Sequence, residues 1–275
     1  GFVPDKSDAF TSYALGKGYK IDLLQKLGLT NKYKKDFFKD KVMFTIHNLS
    51  GKPIAFAGRK LNEQKSGPKY VNSPENPVYY KSKILYGLNF ARKDISKKDV
   101  CYLVEGYTDV ISLHQAGIEN VVASSGTSLT VEQIGLVKRY SPNLTLLFDG
   151  DKAGVKAALR GIDLVLEQDM NVKLVMLPEG EDPDSFVKKV GVDAFEDYLQ
   201  TNAQDFIYFK TKLLKEEADK DPIKKVELIK DVVKSVSRIP DPLKRSVYIK
   251  EVSAVMSMEE ELLLDQMNSF IKTDI

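Results

Sequence analysis

Between residues 100 and 177, short apolar runs alternate with amphipathic stretches. Runs at 100–105, 121–124, 144–148 and 172–177 are rich in Val, Leu and Phe. They are of strand length and too continuous for a half-exposed sheet, which predicts strands buried on both faces. Between them, 108–116, 131–140 and 153–170 carry apolar residues at helical spacing. The order β-α-β-α-β-α-β predicts a parallel sheet covered by helices, with every strand ending on one edge. The helix after 152 places Val155, Ala158, Leu159, Ile162, Val165 and Leu166 on one stripe, which is read as core alone.

Before residue 100 the pattern differs. Helical periodicity at 7–15 and 21–27 is interrupted by Gly16, Gly18 and Gly28, and strands at 42–46 and 54–59 flank the turn Ser50-Gly51-Lys52-Pro53, which predicts an antiparallel hairpin. Residues 64–77 are polar and proline-punctuated, as in a loop. After Asp184 the strands stop. Helices are expected at 186–198, 203–214, 222–238 and 243–256, with a last one at 258–271 opened by a capping box of Ser257 and Glu260. Their apolar stripes are read as packing.

Carboxylates appear where the apolar runs end. Glu105 closes the first strand and Asp109 follows it. Asp149-Gly150-Asp151 follows the third strand, and Asp182-Pro183-Asp184 follows the fourth. Acids two apart at an extended strand end project to the same side and repel unless a positive charge separates them. A hard divalent cation such as Mg²⁺ suits such oxygen donors. A lone D-G-D is equally consistent with solvated aspartates in a loop, and Asp182 or Asp184 could instead cap a helix starting near Ser185.

Taken together, Glu105-Gly106-Tyr107-Thr108-Asp109-Val110, Ser125-Gly126-Thr127, Phe148-Asp149-Gly150-Asp151-Lys152-Ala153-Gly154 and 177–184 (LPEGEDPD) resemble a Toprim domain. Gly58-Arg59 and 68–75 (PKYVNSPE) narrow the resemblance to the RNA polymerase core of bacterial primases. It runs from about Gly1 into the helical third and is weakest at the end. Thr45 stands where that family usually has Pro. Lys39 and Lys41 stand near where it tends to have Arg, which keeps the charge but loses the bidentate fork.

Composition and charge agree with that class. Hydrophobic residues make up 43% and charged residues 29% of 275, and no apolar run approaches a membrane span. No signal peptide is visible, and a cytoplasmic location is expected. One Cys and two His make a zinc site in this stretch unexpected. Residues 1–100 hold 20 Lys/Arg against 9 Asp/Glu (+11), 101–184 hold 6 against 13 (−7), and 185–275 hold 15 against 17 (−2). A basic segment beside an acidic one suggests a polyanion-binding surface next to a metal-binding one. Within the basic segment, Lys69, Tyr70, Asn72, Ser73, Lys81 and Lys83 interleave charge with aromatic rings, as sites for single-stranded nucleic acid do.

The resulting expectation is an α/β chain in three parts. These are a basic α+β subdomain at 1–99 for template and nucleotide, a parallel-sheet Toprim domain at 100–185, and a helical subdomain at 186–275. The resemblance implies a DNA-directed RNA polymerase that makes short primers on single-stranded DNA from ribonucleoside triphosphates. It assigns Asp149 and Asp151 to Mg²⁺ (or Mn²⁺), Glu105 to metal or acid/base work, and Asp109 to an accessory role; Asp182 and Asp184 add oxygens. Arg59, Lys69, Lys81 and Lys83 are the candidates for triphosphate and template, with Lys39 and Lys41 in support. Guanosine tetra/pentaphosphate is implied as a competing inhibitor at the nucleotide site. The abrupt start at Gly1-Phe2-Val3-Pro4 reads as a piece of something longer. The family's zinc-binding domain and the C-terminal domain that meets the replicative helicase are not expected within it, so little preference among initiation sites is expected. Another Toprim enzyme, a topoisomerase or nuclease, is the first alternative, but no tyrosine lies in a separate large domain such as a topoisomerase needs. A metal-dependent nucleotide- or single-stranded-DNA-binding module without turnover is the second.

Overall fold

The computed structural model describes residues 1–61, 67–126, 128–149, 152–218 and 221–273, with backbone alone at 152–158 and 213–218. The chain divides into two compact units, Gly1–Phe90 and Ala91–Ile275.

The first unit is built on an antiparallel sheet of β1 (Phe2–Val3), β2 (Lys41–His47), β3 (Pro53–Lys60) and β4 (Tyr70–Asn72), in that spatial order. Its helices are α1 (Ala9–Gly16) and α2 (Ile21–Lys26). The expected hairpin is present, with Phe44 opposite Ala57 and Val42 opposite Arg59. β4 lies inside the stretch read as loop. Three residues, Tyr70-Val71-Asn72, are too few to show alternation, and among the described residues the strand pairs with β3 alone. Residues directly opposite share a face, so Val42, Phe44, Ala57, Arg59, Tyr70 and Asn72 lie on one face. Lys41, Met43, Phe56, Gly58 and Lys60 lie on the other, where Phe38 packs against Phe56 and Gly58.

The link between the units is α3 (Leu88–Lys98), which the sequence reading did not anticipate. The second unit holds β5 (Cys101–Val104), α4 (Tyr107–Gln115), β6 (Val121–Ala123), α5 (Val131–Lys138), β7 (Asn143–Phe148), α6 (Lys152–Glu167) and β8 (Asn171–Met176). The four strands are parallel, as expected, and the sheet order is β6-β5-β7-β8-β9. The last strand, β9 (Gln204–Asp205), is antiparallel to β8 and comes from the helical third of the chain. That pairing joins the helical third to the sheet. Leu103, Val122, Leu146 and Leu174 fill the sheet interior, and Cys101 is buried, with burial pushing its thiol pKa up.

Beyond the sheet, the single helix expected at 186–198 is two, α7 (Pro183–Val190) and α8 (Val192–Asn202). They are broken at Gly191, whose φ of 83° suits a residue without a Cβ. Then follow α9 (Phe206–Ala218), α10 (Pro222–Ser237), α11 (Pro242–Met256) and α12 (Glu260–Thr273). Ser257 does not cap the last helix. It ends α11 in the left-handed conformation, φ 53°, while Ser253 Oγ donates to the Met258 carbonyl at 2.6 Å. No helix of the described residues is long and apolar enough to cross a membrane.

Candidate active site

The sheet order changes direction at β5. The chain goes from β5 to β6 on one side, then returns to lay β7 on the other. Such a switch point leaves a crevice at the carboxyl ends of the two neighbouring strands. Glu105 follows β5 and is exposed; Asp149 follows β7 and is partly exposed. Because β5 and β7 pair directly, with Leu103 beside Leu146, acids 44 positions apart in sequence come to one edge.

A third acid enters through α4. Asp109 sits in its first turn, and its Oδ2 accepts the Gly106 N–H at 2.9 Å. A Cβ on Gly106 would lie 2.8 Å from that oxygen, so glycine here lets the carboxylate close over the backbone. Asp109 is 7% exposed. Burial pushes its carboxyl up to about 6; the Gly106 N–H pulls it down, and repulsion from Asp182, Asp184 and Glu105 adds to the rise.

The fourth and fifth acids come from the start of α7, which packs against α4. Asp182 is its N-cap, accepting Ser185 N–H at 2.7 Å, with Pro183 in the first turn. Asp184 accepts a hydrogen bond from Ser112 Oγ on α4 and pairs with Lys188 at 2.5 Å. The capping role foreseen for this pair is therefore present, and the repulsion felt by Asp109 puts both acids in the same electrostatic neighbourhood as Glu105. Ser112, which ties the two helices together, was not anticipated; a polar residue on the buried side of α4 was its only signal.

Asp151 lies outside the described residues, as do Gly150 and Thr127. Among the described residues, no three Asp, Glu, His or Cys side chains come close enough together to hold one ion. The donor set still fits a divalent cation. Its members are carboxylates, hard oxygen donors, and the charges of Asp182, Asp184 and Glu105 add to the rise that burial gives Asp109. A bound cation would relieve that repulsion.

Beside Glu105 the edge opens into a cavity of about 350 Å³, walled by Leu146 and Phe148 and rimmed by Ser124, Ser128 and Arg160. Arg160 belongs to the helix read from its pattern as core alone. Its place in the cavity wall is not deducible from the spacing of the apolar stripe.

The basic candidates lie in the first unit. Arg59 is partly exposed; its guanidinium carbon stands 5.9 Å from the Tyr70 ring centre, and its buried Nε has no hydrogen-bond partner among the described residues. Asn72 shares this face. Lys69 and Lys83 are exposed and Lys81 is partly exposed; Lys83 lies 5.6 Å from the Tyr80 ring centre. Ser73 is placed differently. It is 1% exposed, and its hydroxyl accepts the Phe56 N–H at 3.0 Å, extending the β3–β4 pairing. That bond gives it a structural role. Lys41 lies on the sheet face opposite Arg59, and Lys39 pairs with Asp5 at 3.0 Å, so these two do not join the Arg59–Tyr70–Asn72 set.

A parallel sheet with acids at the ends of two adjacent strands, followed by an Asp-Pro-Asp helix start, defines a Toprim-like domain, and residues 102–187 match the family described as Toprim-like. Residues 1–92 match the N-terminal domain of the DNA primase catalytic core. A DNA primase from Staphylococcus aureus is 35% identical over 271 residues, 97% of this chain and 44% of that protein. The crystal structure of a DNA primase domain from Pseudomonas aeruginosa is 36% identical, with a TM-score of 0.85 over 99% of this chain and 86% of that one. A DnaG primase catalytic domain bound to ssDNA is 32% identical, with a TM-score of 0.83 over 95% of this chain and 84% of that one. The chain belongs to the bacterial DNA primase family. It spans less than half the length of the Staphylococcus relative.

Residues 209–261 match the family described as the DnaB-helicase binding domain of primase. This corrects the expectation that no helicase-related segment lies within the chain. Amphipathic stripes read alike whether they pack internally or receive a partner, and α9–α11 were read as packing alone. Ile223, Leu243 and Val247 on these helices are exposed.

The raised Asp109 carboxyl has a measurable sign. Its folded-state value, about 6, lies above the unfolded value of about 3.9. Its contribution to stability is therefore full below about pH 4 and is lost as pH rises through about 6. Asp109→Asn, which keeps an acceptor for Gly106, should melt at a higher temperature than the parent at pH 7 in chelator, with a flatter pH dependence between about 4 and 6. An equal or lower melting temperature would contradict this assignment.

Proposed function

We propose that this chain carries the DNA-directed RNA polymerase activity of a primase, making short RNA on single-stranded DNA from ribonucleoside triphosphates. The observation that carries it is the convergence of Glu105 and Asp149 on the switch point of the sheet, with Asp109, Asp182 and Asp184 crowding the same edge. Glu105, Asp149 and Asp151 are the proposed catalytic acids. With Asp109, Asp182 and Asp184 they form the proposed ligand set for Mg²⁺, which Mn²⁺ could replace. When bound, such ions lower the pKa of the attacking 3′-hydroxyl and shield the triphosphate. The acids orient these charges, and Asp109 is held in place by Gly106. Arg59, Tyr70 and Asn72 on one sheet face, with Lys69, Lys81 and Lys83 after it, are proposed to bind template and nucleotide phosphates, since guanidinium and ammonium groups neutralise phosphate charge. Guanosine tetra/pentaphosphate would compete for the same groups. The cytoplasm is the proposed location, and the replicative helicase is a proposed partner through α9–α11.

Two experiments test this reading. Glu105→Gln, Asp149→Asn and Asp151→Asn should each lower template-dependent ribonucleotide incorporation by at least about 10²-fold while the melting temperature holds; incorporation near the parent level in any of them would remove that acid from the site. Lys69→Ala, Lys81→Ala and Lys83→Ala should each weaken single-stranded DNA binding and reduce the slope of log affinity against log salt by slightly under about one. Parent-like binding by all three at every salt concentration would sink the phosphate-contact assignment.

A further inference from the structure

α6 begins at Lys152, the residue after Asp151, and runs 16 residues to Glu167. As a helix of that length it is a rod of about 24 Å, so whatever fixes its far end also sets the position of its start. That far end is held by an ion-pair cluster. Lys210 on α9 is 2% exposed, unusual for a lysine. Its Nζ donates to Asp231 Oδ2 at 2.8 Å and to Ser235 Oγ at 2.6 Å, both on α10. It lies 3.7 Å from Asp163 Oδ1 on α6. Ser235 Oγ donates to the same Asp163 oxygen at 2.5 Å. Arg238 Nε stands 3.6 Å from Asp163 Oδ2, and its Nη1 pairs with Glu167 one turn further along. Lys244 on α11 pairs with Asp169, just past the helix, at 2.8 Å. Three acids at one end of α6 thus meet three cations from α9–α11.

Burying a lysine against carboxylates is a poor way to gain stability. Desolvation offsets most of the attraction, and apolar residues of similar volume would hold three helices together as well or better. What directed ion pairs add is a single register between the helices. The register matters at α6 because Arg160 and Gly161 on the same helix wall the cavity beside Glu105. Asp163 lies within α6, six positions nearer its start than Asp169, and carries three of the contacts.

We propose that Lys210, Asp163 and Ser235 are positioning residues for the metal-binding edge: they set the register of α6, and through it the place of Arg160 and Gly161 in the wall of the cavity beside Glu105. This rests on the metal-site reading above. The test uses Asp163→Asn and Lys210→Met, with Val252→Ala, a buried α11 residue outside the ion-pair cluster, as a core control. Mn²⁺ binding is measured directly from the electron paramagnetic resonance signal of the free ion, alongside the Mg²⁺ midpoint of primer synthesis and the melting temperature. Asp163→Asn should weaken Mn²⁺ binding and raise the Mg²⁺ midpoint by about 5-fold or more, approaching the effect of outer partners on metal ligands. Val252→Ala should lower the melting temperature and leave both metal readouts within about two-fold, since a core cavity costs stability without reaching the site. Lys210→Met should follow Asp163→Asn; if it does not fold, Asp163→Asn decides. Metal readouts unchanged in a folded Asp163→Asn would overturn the proposal. Asp149→Asn separates the two levels: if it binds Mn²⁺ like the parent, the metal-site reading itself fails, whereas if it loses Mn²⁺ while Asp163→Asn keeps it, only the positioning role fails.

Discussion

Like charges gathered on one sheet edge are the constraint on which the second unit depends. Burial holds the Asp109 carboxyl up, and the charges of Asp182, Asp184 and Glu105 add to that cost. A fold tolerates this only where each acid is anchored by something else. Asp109 is anchored by the Gly106 N–H, Asp182 by the α7 backbone, and Asp184 by Ser112 and Lys188. The anchors leave the charges in place while preventing the loops from spreading apart. Crowding of this kind is expected where a multivalent cation is to be held and is costly elsewhere.

The sheet topology makes that crowding possible. A parallel sheet brings strand ends to one edge, and reversing its order at β5 opens a crevice between β5 and β7. α6 and the helices packed on it back the sheet. The pairing of β9 with β8, the packing of α9 on α10, and the ion pairs onto Asp163, Glu167 and Asp169 join the helical third to the sheet. In the first unit the parity of the β2–β3 pairing decides which cations share a face. It groups Arg59 with Tyr70 and Asn72 and sends Lys41 to the opposite side.

Much of this was legible in the sequence. Buried parallel strands announce themselves as short unbroken apolar runs, and acids stand out where those runs end, so Glu105 and Asp149 could be placed on one edge before any coordinates. Short edge strands such as β4 and β9 were not legible, because two or three residues give too little alternation to see. The break at Gly191 was hidden by apolar spacing that continues through it. Ser73 looked like a nucleotide contact because it lies among basic and aromatic residues, yet its hydroxyl completes a strand pairing. Parity along the 42–59 hairpin would have separated Lys41 from Arg59 had the register been worked out. The cluster around Lys210 joins residues up to 75 apart in sequence, counting Lys244 and Asp169, and no local pattern marks such a cluster. The helicase-related match over α9–α11 was missed for a similar reason, since apolar stripes do not say what covers them.

The carboxylates at the ends of β5 and β7 are proposed to hold a divalent cation. Crystals soaked in Mn²⁺ and measured near the manganese absorption edge test it most directly. The account predicts an anomalous peak within ligand distance of Glu105 and Asp149, about 2.0–2.6 Å from their oxygens as for hard cations. Manganese bound only elsewhere, with that edge of the sheet empty at saturating concentration, would contradict it.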